Sequence, residues 1–296
     1  MSLKQLELRD IVNELIYETG IPYSASQRIT RVLPSGVSEI RIKHRSGSLS
    51  GGSSGSLIAN TVITEIKLTV GGQVLLDYSG DVDTDLPDRG IQIMRIYNKA
   101  LSGVADGNEY FIIRLPDALP EERKVELSFR FNSIANINDG DRTTYSNATV
   151  DITFMKKDAF PGMQKLLRTS INKFILGTGT DQTFYPEATF KDFVAKYLAL
   201  VTEDNSVDSN TAINEIIITK GKEVLFEGTF GDLQQKALEL FGVAMATGEA
   251  ILPLFDEIWS TQELKVRIKK SSGGTAVDIH YAILQEGLAQ AWGILA

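Results

Sequence analysis

Two histidines, thirty-eight carboxylates and no cysteine bound the chemistry open to this 296-residue chain. Without a thiol there is no cysteine nucleophile, no thiolate metal site and no disulfide framework. His44 and His280 are the only imidazoles, so a Ser-His-Asp triad would need one of them. Neither lies in a motif. His280 stands inside the alternating stretch VDIHY, where a histidine is expected to be structural. Gly51-Gly52-Ser53-Ser54-Gly55 matches the G-x-S-x-G elbow, but that elbow needs a strand before it and a helix after it. Here ten of the eleven residues from Ser46 to Ser56 are serine or glycine, a composition that forms no packed element. The chain is expected not to be an enzyme.

The carboxylates offer a second chemistry. Asp81, Asp83 and Asp85 alternate through GDVDTDLPD as at the start of a calcium loop. Leu86 replaces the glycine an EF-hand needs and Gln92 replaces its bidentate acid, which excludes that motif. A looser oxygen-ligand calcium site on Asp81, Asp83 and Asp85 is the one cofactor expectation, and Asn136 to Asp141 is a second loop of the same character. A glycan-cleaving acid pair cannot be chosen from sequence, because the separation that matters is spatial. The two tryptophans, Trp259 and Trp292, are expected in packing or an interface.

The formal net charge of −8 argues against direct nucleic-acid contact, which needs a basic surface to displace counterions. No apolar run approaches the roughly 18 residues that would span a bilayer. The opening MSLKQLELRD has acids and no apolar h-region, so a secretory signal is not expected. The expectation is a soluble chain made in the cytoplasm.

The elements that must position these groups are mostly strands. Residues 3–19 read as an amphipathic helix with Leu8, Ile11, Val12 and Leu15 on one face, a face that would dock on its own domain, a neighbour or a membrane. From Ile29 onward, short β-like runs dominate. VSEIRIKH (37–44), EYFIIRL (109–115), VELSFRF (125–131), ATVDITFM (148–155), ELKVRIKK (263–270) and AVDIHYAIL (276–284) predict strands. Helices are predicted near 89–102 and 232–241, a short helical patch within 156–170, and a capped helix at 189–201 facing inward through Phe193, Val194, Tyr197, Leu198 and Val201. A turn is expected around Leu252-Pro253.

One pattern occurs twice. TVITEIKLTVGGQVLLDY (61–78) and TAINEIIITKGKEVLFEG (211–228) are identical at 8 of 18 positions at an offset of 150, against about one expected by chance. Each is a β-branched hairpin turning at glycine, followed by an acid, a helix, Leu-Pro, a strand, a small-residue turn and a strand with Val-Asp-Ile (150–152 and 277–279). Two similar β-domains in tandem are therefore expected. Their strand spacing and long helix-bearing connections point to sandwiches of the jelly-roll kind.

With its two tandem sandwiches, doubled hairpin-then-helix motif and N-terminal helix, the chain resembles the double jelly-roll major capsid proteins of membrane-containing, tailless icosahedral bacteriophages, in particular the corticovirus-like lineage. The resemblance implies an all-β fold of two tandem antiparallel eight-stranded jelly rolls, with short helices in loops. The expected divisions are an arm at 1–20, a first jelly roll at 21–157, a linker at 158–170 and a second jelly roll at 171–296. It further implies pseudo-hexameric homotrimers that tile an icosahedral shell around an internal membrane, in a virion assembled after synthesis in the host cytoplasm. Neighbouring capsomers, minor capsid proteins and the membrane are the implied partners. Two other readings stand beside it: a glycan-binding or glycan-processing tandem sandwich, and a minor capsid or vertex protein.

Overall fold

Strands Ile63–Val70 and Gln73–Asp77 meet at Gly71 and Gly72, whose φ angles of 57° and 83° are the two left-handed residues that a type I′ hairpin turn requires. In the second copy Ile213–Lys220 and Glu223–Gly228 meet at Gly221, with φ 56°. The register breaks recur as well. Each hairpin shifts once, between Leu68 and Thr69 and between Ile218 and Thr219. Against the strand on its other side, each shifts between Ile63 and Glu65 or between Ile213 and Glu215. The duplication thus extends to the bulges, which re-aim a strand and are built features of a fold.

The computed structural model describes residues 14–22, 27–34, 36–45, 63–79, 89–103, 110–115, 123–131, 149–156, 165–169, 171–177, 179–186, 193–204, 207–259, 264–270 and 277–288. In the first half these form β1 (Glu14–Pro22), β2 (Arg28–Leu33), β3 (Val37–Arg45), β4 (Ile63–Val70), β5 (Gln73–Asp77), β6 (Tyr110–Arg114), β7 (Val125–Phe131) and β8 (Thr149–Lys156). They pair antiparallel in two four-stranded sheets, β1-β8-β3-β6 and β2-β7-β4-β5. The chain crosses between sheets at nearly every step, which is the jelly-roll path. Helix α1 (Arg89–Ser102) lies in the β5–β6 connection.

The second half repeats the plan. β9 (Lys165–Arg168), β10 (Ile171–Ile175), β11 (Asp181–Phe184), β12 (Phe193–Asp204), β13 (Val207–Asp208), β14 (Ile213–Lys220), β15 (Glu223–Gly228), β16 (Glu249–Trp259), β17 (Leu264–Lys270) and β18 (Val277–Leu288) follow in order. One sheet runs β10-β18-β12 with β16 also on β12, and the other runs β11-β17-β14-β15. β9 adds to β18 and β13 to β12. Helix α2 (Phe230–Phe241) occupies the β15–β16 connection. The fold is a double jelly roll.

Period-two burial builds each core. In β7, Val125, Leu127, Phe129 and Phe131 point inward while Glu126, Ser128 and Arg130 stay half-buried. β17 repeats this with Leu264, Val266 and Ile268. Each such side chain contributes about 1.5–3 kcal/mol on burial.

Four sequence expectations are corrected. Of the helix expected over 3–19, residues 14–19, including Leu15, belong instead to β1, which pairs with β8 from Glu14↔Met155 to Pro22↔Thr149. Leu8, Ile11 and Val12 lie outside the described residues. The helix over 189–201 is instead β12 from Phe193 onward, paired with β18 along its whole length. Leu198, Ala199, Leu200 and Val201 are all buried, so the run is apolar on both faces and its period cannot separate helix from strand. The helical patch in 156–170 contains β9. The turn at Leu252-Pro253 is inside β16, where Pro253 sits beside a register shift on a strand that, among the described residues, pairs with β12 alone, the edge placement a proline permits.

Candidate functional site: a buried polar seam between the sandwiches

Helix α1 carries Ile91, Ile93, Met94, Ile96 and Tyr97, all buried. Ten of its fourteen residues are buried, Arg89, Gln92, Asn98 and Lys99 among them, so the helix is covered on nearly every side. Its own sandwich covers part: the Asn98 side chain accepts from the Ile112 backbone N–H of β6 at 2.8 Å. The remainder lies against β12, β16 and β18 of the second sandwich. Tyr97 donates to the Ala282 carbonyl at 2.9 Å. Burial pushes both the Tyr97 and the Tyr78 hydroxyls above the usual tyrosine range, and their rings meet edge-on at 6.5 Å.

Polar residues run through this contact. Arg89, 5% exposed, donates to Glu203, to Asp208 Oδ1 at 2.6 Å and to Gln92 Oε1 at 2.6 Å. Gln92 in turn donates to Asp208 Oδ2 at 2.8 Å and Glu249 Oε1 at 3.2 Å. Lys99 reaches Glu249 Oε2 at 3.4 Å. His280 Nε2 stands 3.6 Å from Glu203 Oε1. Burial alone would raise the Glu203 carboxyl, but His280 and Arg89 outweigh it and hold it down at about 2. Cations on the first half thus face carboxylates on the second.

A second junction joins the halves through the backbone. Thr169 N–H donates to Leu75 O at 2.9 Å, and Asp77 N–H to Thr169 O at 3.2 Å. Thr169 thereby forms a parallel bridge at the edge strand β5.

Chemically, the seam is a clamp. Its cations pair with its carboxylates, Arg89 with Glu203 and Asp208 and Lys99 with Glu249. His44 pairs through its backbone with Val150 in the β3–β8 ladder. The elbow match at Gly51–Gly55, the loop Asn136–Asp141, Trp292 and the calcium candidates Asp81, Asp83 and Asp85 lie outside the described residues. Among the described residues no group of three or more His, Asp and Glu is arranged to hold a metal ion. Sequence reasoning missed Arg89, Glu203, Asp208 and Glu249. The available signal was Arg89 and Lys99 on a helix that also carries Ile91, Ile93, Met94, Ile96 and Tyr97, since buried cations need partners.

The class is now defined: an all-β double jelly roll whose halves are locked by a helix of the first. Solved structures with this fold to which the chain is similar include viral major capsid proteins. The chain is similar to the major capsid protein P2 from bacteriophage PM2, at 9% identity over 93% of this chain and 97% of that one, with a TM-score of 0.66. It is similar to the STIV MCP at 12% identity over 96% and 98%, TM-score 0.66. The atomic structure of Sulfolobus Turreted Icosahedral Virus gives 12% identity over 95% of each chain, with a TM-score of 0.69. No protein-family model and no curated protein matches the chain.

Proposed function

We propose that this chain is a structural major capsid protein with no catalytic role, forming homotrimers whose six sandwiches make a pseudo-hexagonal capsomer. The supporting observation is a contrast between equivalent helices. α1 and α2 occupy the same connection in their respective jelly rolls. α1 is covered on its outer side by the second sandwich, whereas α2 leaves Leu238 and Leu240 36% and 43% exposed. Leu238 lies on the same exposed side of α2 as Gly231 and Gln235, a side without the cover that α1 has. Since the two sandwiches are alike, a first sandwich from another copy is the matching cover. Three copies joined head to tail close a ring of six sandwiches, as a closed heterologous interface requires.

On this reading the capsomers tile an icosahedral shell around an internal membrane. The segment holding Leu8, Ile11 and Val12 faces neighbours or that membrane, and minor capsid proteins complete the shell of a virion whose subunits are made in the host cytoplasm. The coverage of nearly the whole chain by capsid proteins of the same fold supports this. Size-exclusion chromatography with light scattering tests it. A stable species of three times the 32.5 kDa chain is expected. A monomer at all accessible concentrations overturns it.

A further inference from the structure

The register of the two sandwiches identifies matching positions on their outer faces. In the second, Glu203 of β12 pairs with Asp278 of the Val277-Asp278-Ile279 run. In the first, Lys43 of β3 pairs with Asp151 of the Val150-Asp151-Ile152 run. Lys43 therefore stands where Glu203 stands, with the charge reversed.

The reversal spreads beyond that position. Along the same face of β3, two residues away, is Arg41, and Arg114 of β6 lies opposite Glu39, the next residue on that face. Glu39 holds both guanidiniums, accepting from Arg41 and, at 2.9 Å, from Arg114. Arg41 is 29% and Arg114 51% exposed. Partly exposed Ile112 and Met155 lie on the same face. The second sandwich offers carboxylates on its corresponding strands, and α1 meets them with Arg89 and Lys99.

Helix α2 carries the opposite sign from α1. Its exposed residues include Asp232, Gln235, Leu238 and Glu239. Its one cation, Lys236, folds back toward the Leu225 carbonyl and the Phe226 ring. A rigid frame holds this face. Thr229 and Asp232 form a reciprocal capping box, and Gly242 closes the far end in the left-handed conformation, its N–H donating to Leu238 O at 2.8 Å.

We infer that the outer face of β8-β3-β6, through Arg41, Lys43 and Arg114, is the docking surface for α2 of a second copy of this chain, with Glu239 as the charged contact and Leu238 seated against Ile112 and Met155. This rests on the trimer reading and deepens it. The reversed signs give the ring its order. Acidic α2 is repelled by the acidic face of a second sandwich, and basic α1 by the basic face of a first. First and second sandwiches must then alternate, because like charges brought together at an interface oppose wrong pairings.

The test measures subunit dissociation by light scattering across a dilution series. Arg41→Glu with Lys43→Glu is expected to raise the dissociation constant about 10-fold or more, and Glu239→Lys to act in the same direction. Combining the three changes in one chain restores complementary signs and is expected to recover most of the loss. Leu238→Arg, at an exposed position, weakens assembly without touching the sheet and covers the case in which the β3 changes unfold the chain. Far-ultraviolet circular dichroism checks each fold. A wild-type trimer that persists unchanged in folded Leu238→Arg and Glu239→Lys variants overturns the docking surface and leaves the trimer standing. A monomeric wild type overturns both.

Discussion

Lys99 and Glu249 lie 150 residues apart in the chain, and their side chains meet at 3.4 Å with 5% of each exposed. They belong to different jelly rolls. Together with Arg89, Glu203, Asp208 and Gln92 they make the contact between the halves a specific, charged one rather than a bare apolar surface. Buried ion pairs contribute little net stability over an apolar replacement, yet removing one partner is costly. That asymmetry makes the seam testable.

Arg89→Met leaves the Glu203 carboxylate buried without its guanidinium. A loss of about 3–5 kcal/mol is expected, read as a lower urea midpoint. Adding Glu203→Gln removes the stranded charge and should recover part of the loss. Equal midpoints for Arg89→Met and the wild type would contradict the role given to Arg89.

Acid should loosen the same seam. The folded Glu203 carboxyl titrates at about 2, below the ordinary glutamate value of 4.5. A depressed folded value means that Glu203 stabilises the fold above pH 4.5 and that this contribution drains away as the pH falls toward 2. Between those limits the wild-type melting temperature should fall more steeply than that of Glu203→Gln. Parallel profiles would show that Glu203 is not the group responsible.

Gly90 sits where a side chain has no room. A Cβ there would lie 2.6 Å from the Tyr78 carbonyl carbon and 2.7 Å from Ser79 backbone. Gly90→Ala must push α1 off its seat, at an expected cost of about 1–3 kcal/mol. Calorimetry of the variant checks this, and an unchanged melting temperature would refute the close approach.

Phe230 is fully buried at the start of α2. Phe230→Ala is expected to cost about 3–5 kcal/mol. It should also weaken assembly, since α2 loses its anchor while its outer face keeps every residue. Denaturation combined with light scattering separates the two effects.

Much of this architecture was legible in the residues. The doubled hairpin marked the duplication because Gly71 and Gly221 supply turn conformations that few other residues adopt, and the alternation in VELSFRF and LKVRIKK marked strands with one face in a core. Their order pointed to tandem sandwiches, and the resemblance to double jelly-roll capsid proteins implied the double jelly roll. β12 was not legible, because a strand covered on both faces loses its alternation and FVAKYLALV then imitates a helix. β1 was misjudged for a related reason: only its pairing with β8 decides between two periods in a short segment. The seam was hidden because Arg89 and Glu203 are 114 residues apart, and no local pattern links a cation on a helix to an acid on a distant strand.

The central claim, six sandwiches per capsomer, is tested most directly by electron microscopy of the purified protein. Class averages should show a particle of hexagonal outline with six lobes and threefold symmetry. Isolated two-lobed particles, or rings with another number of lobes, would contradict it.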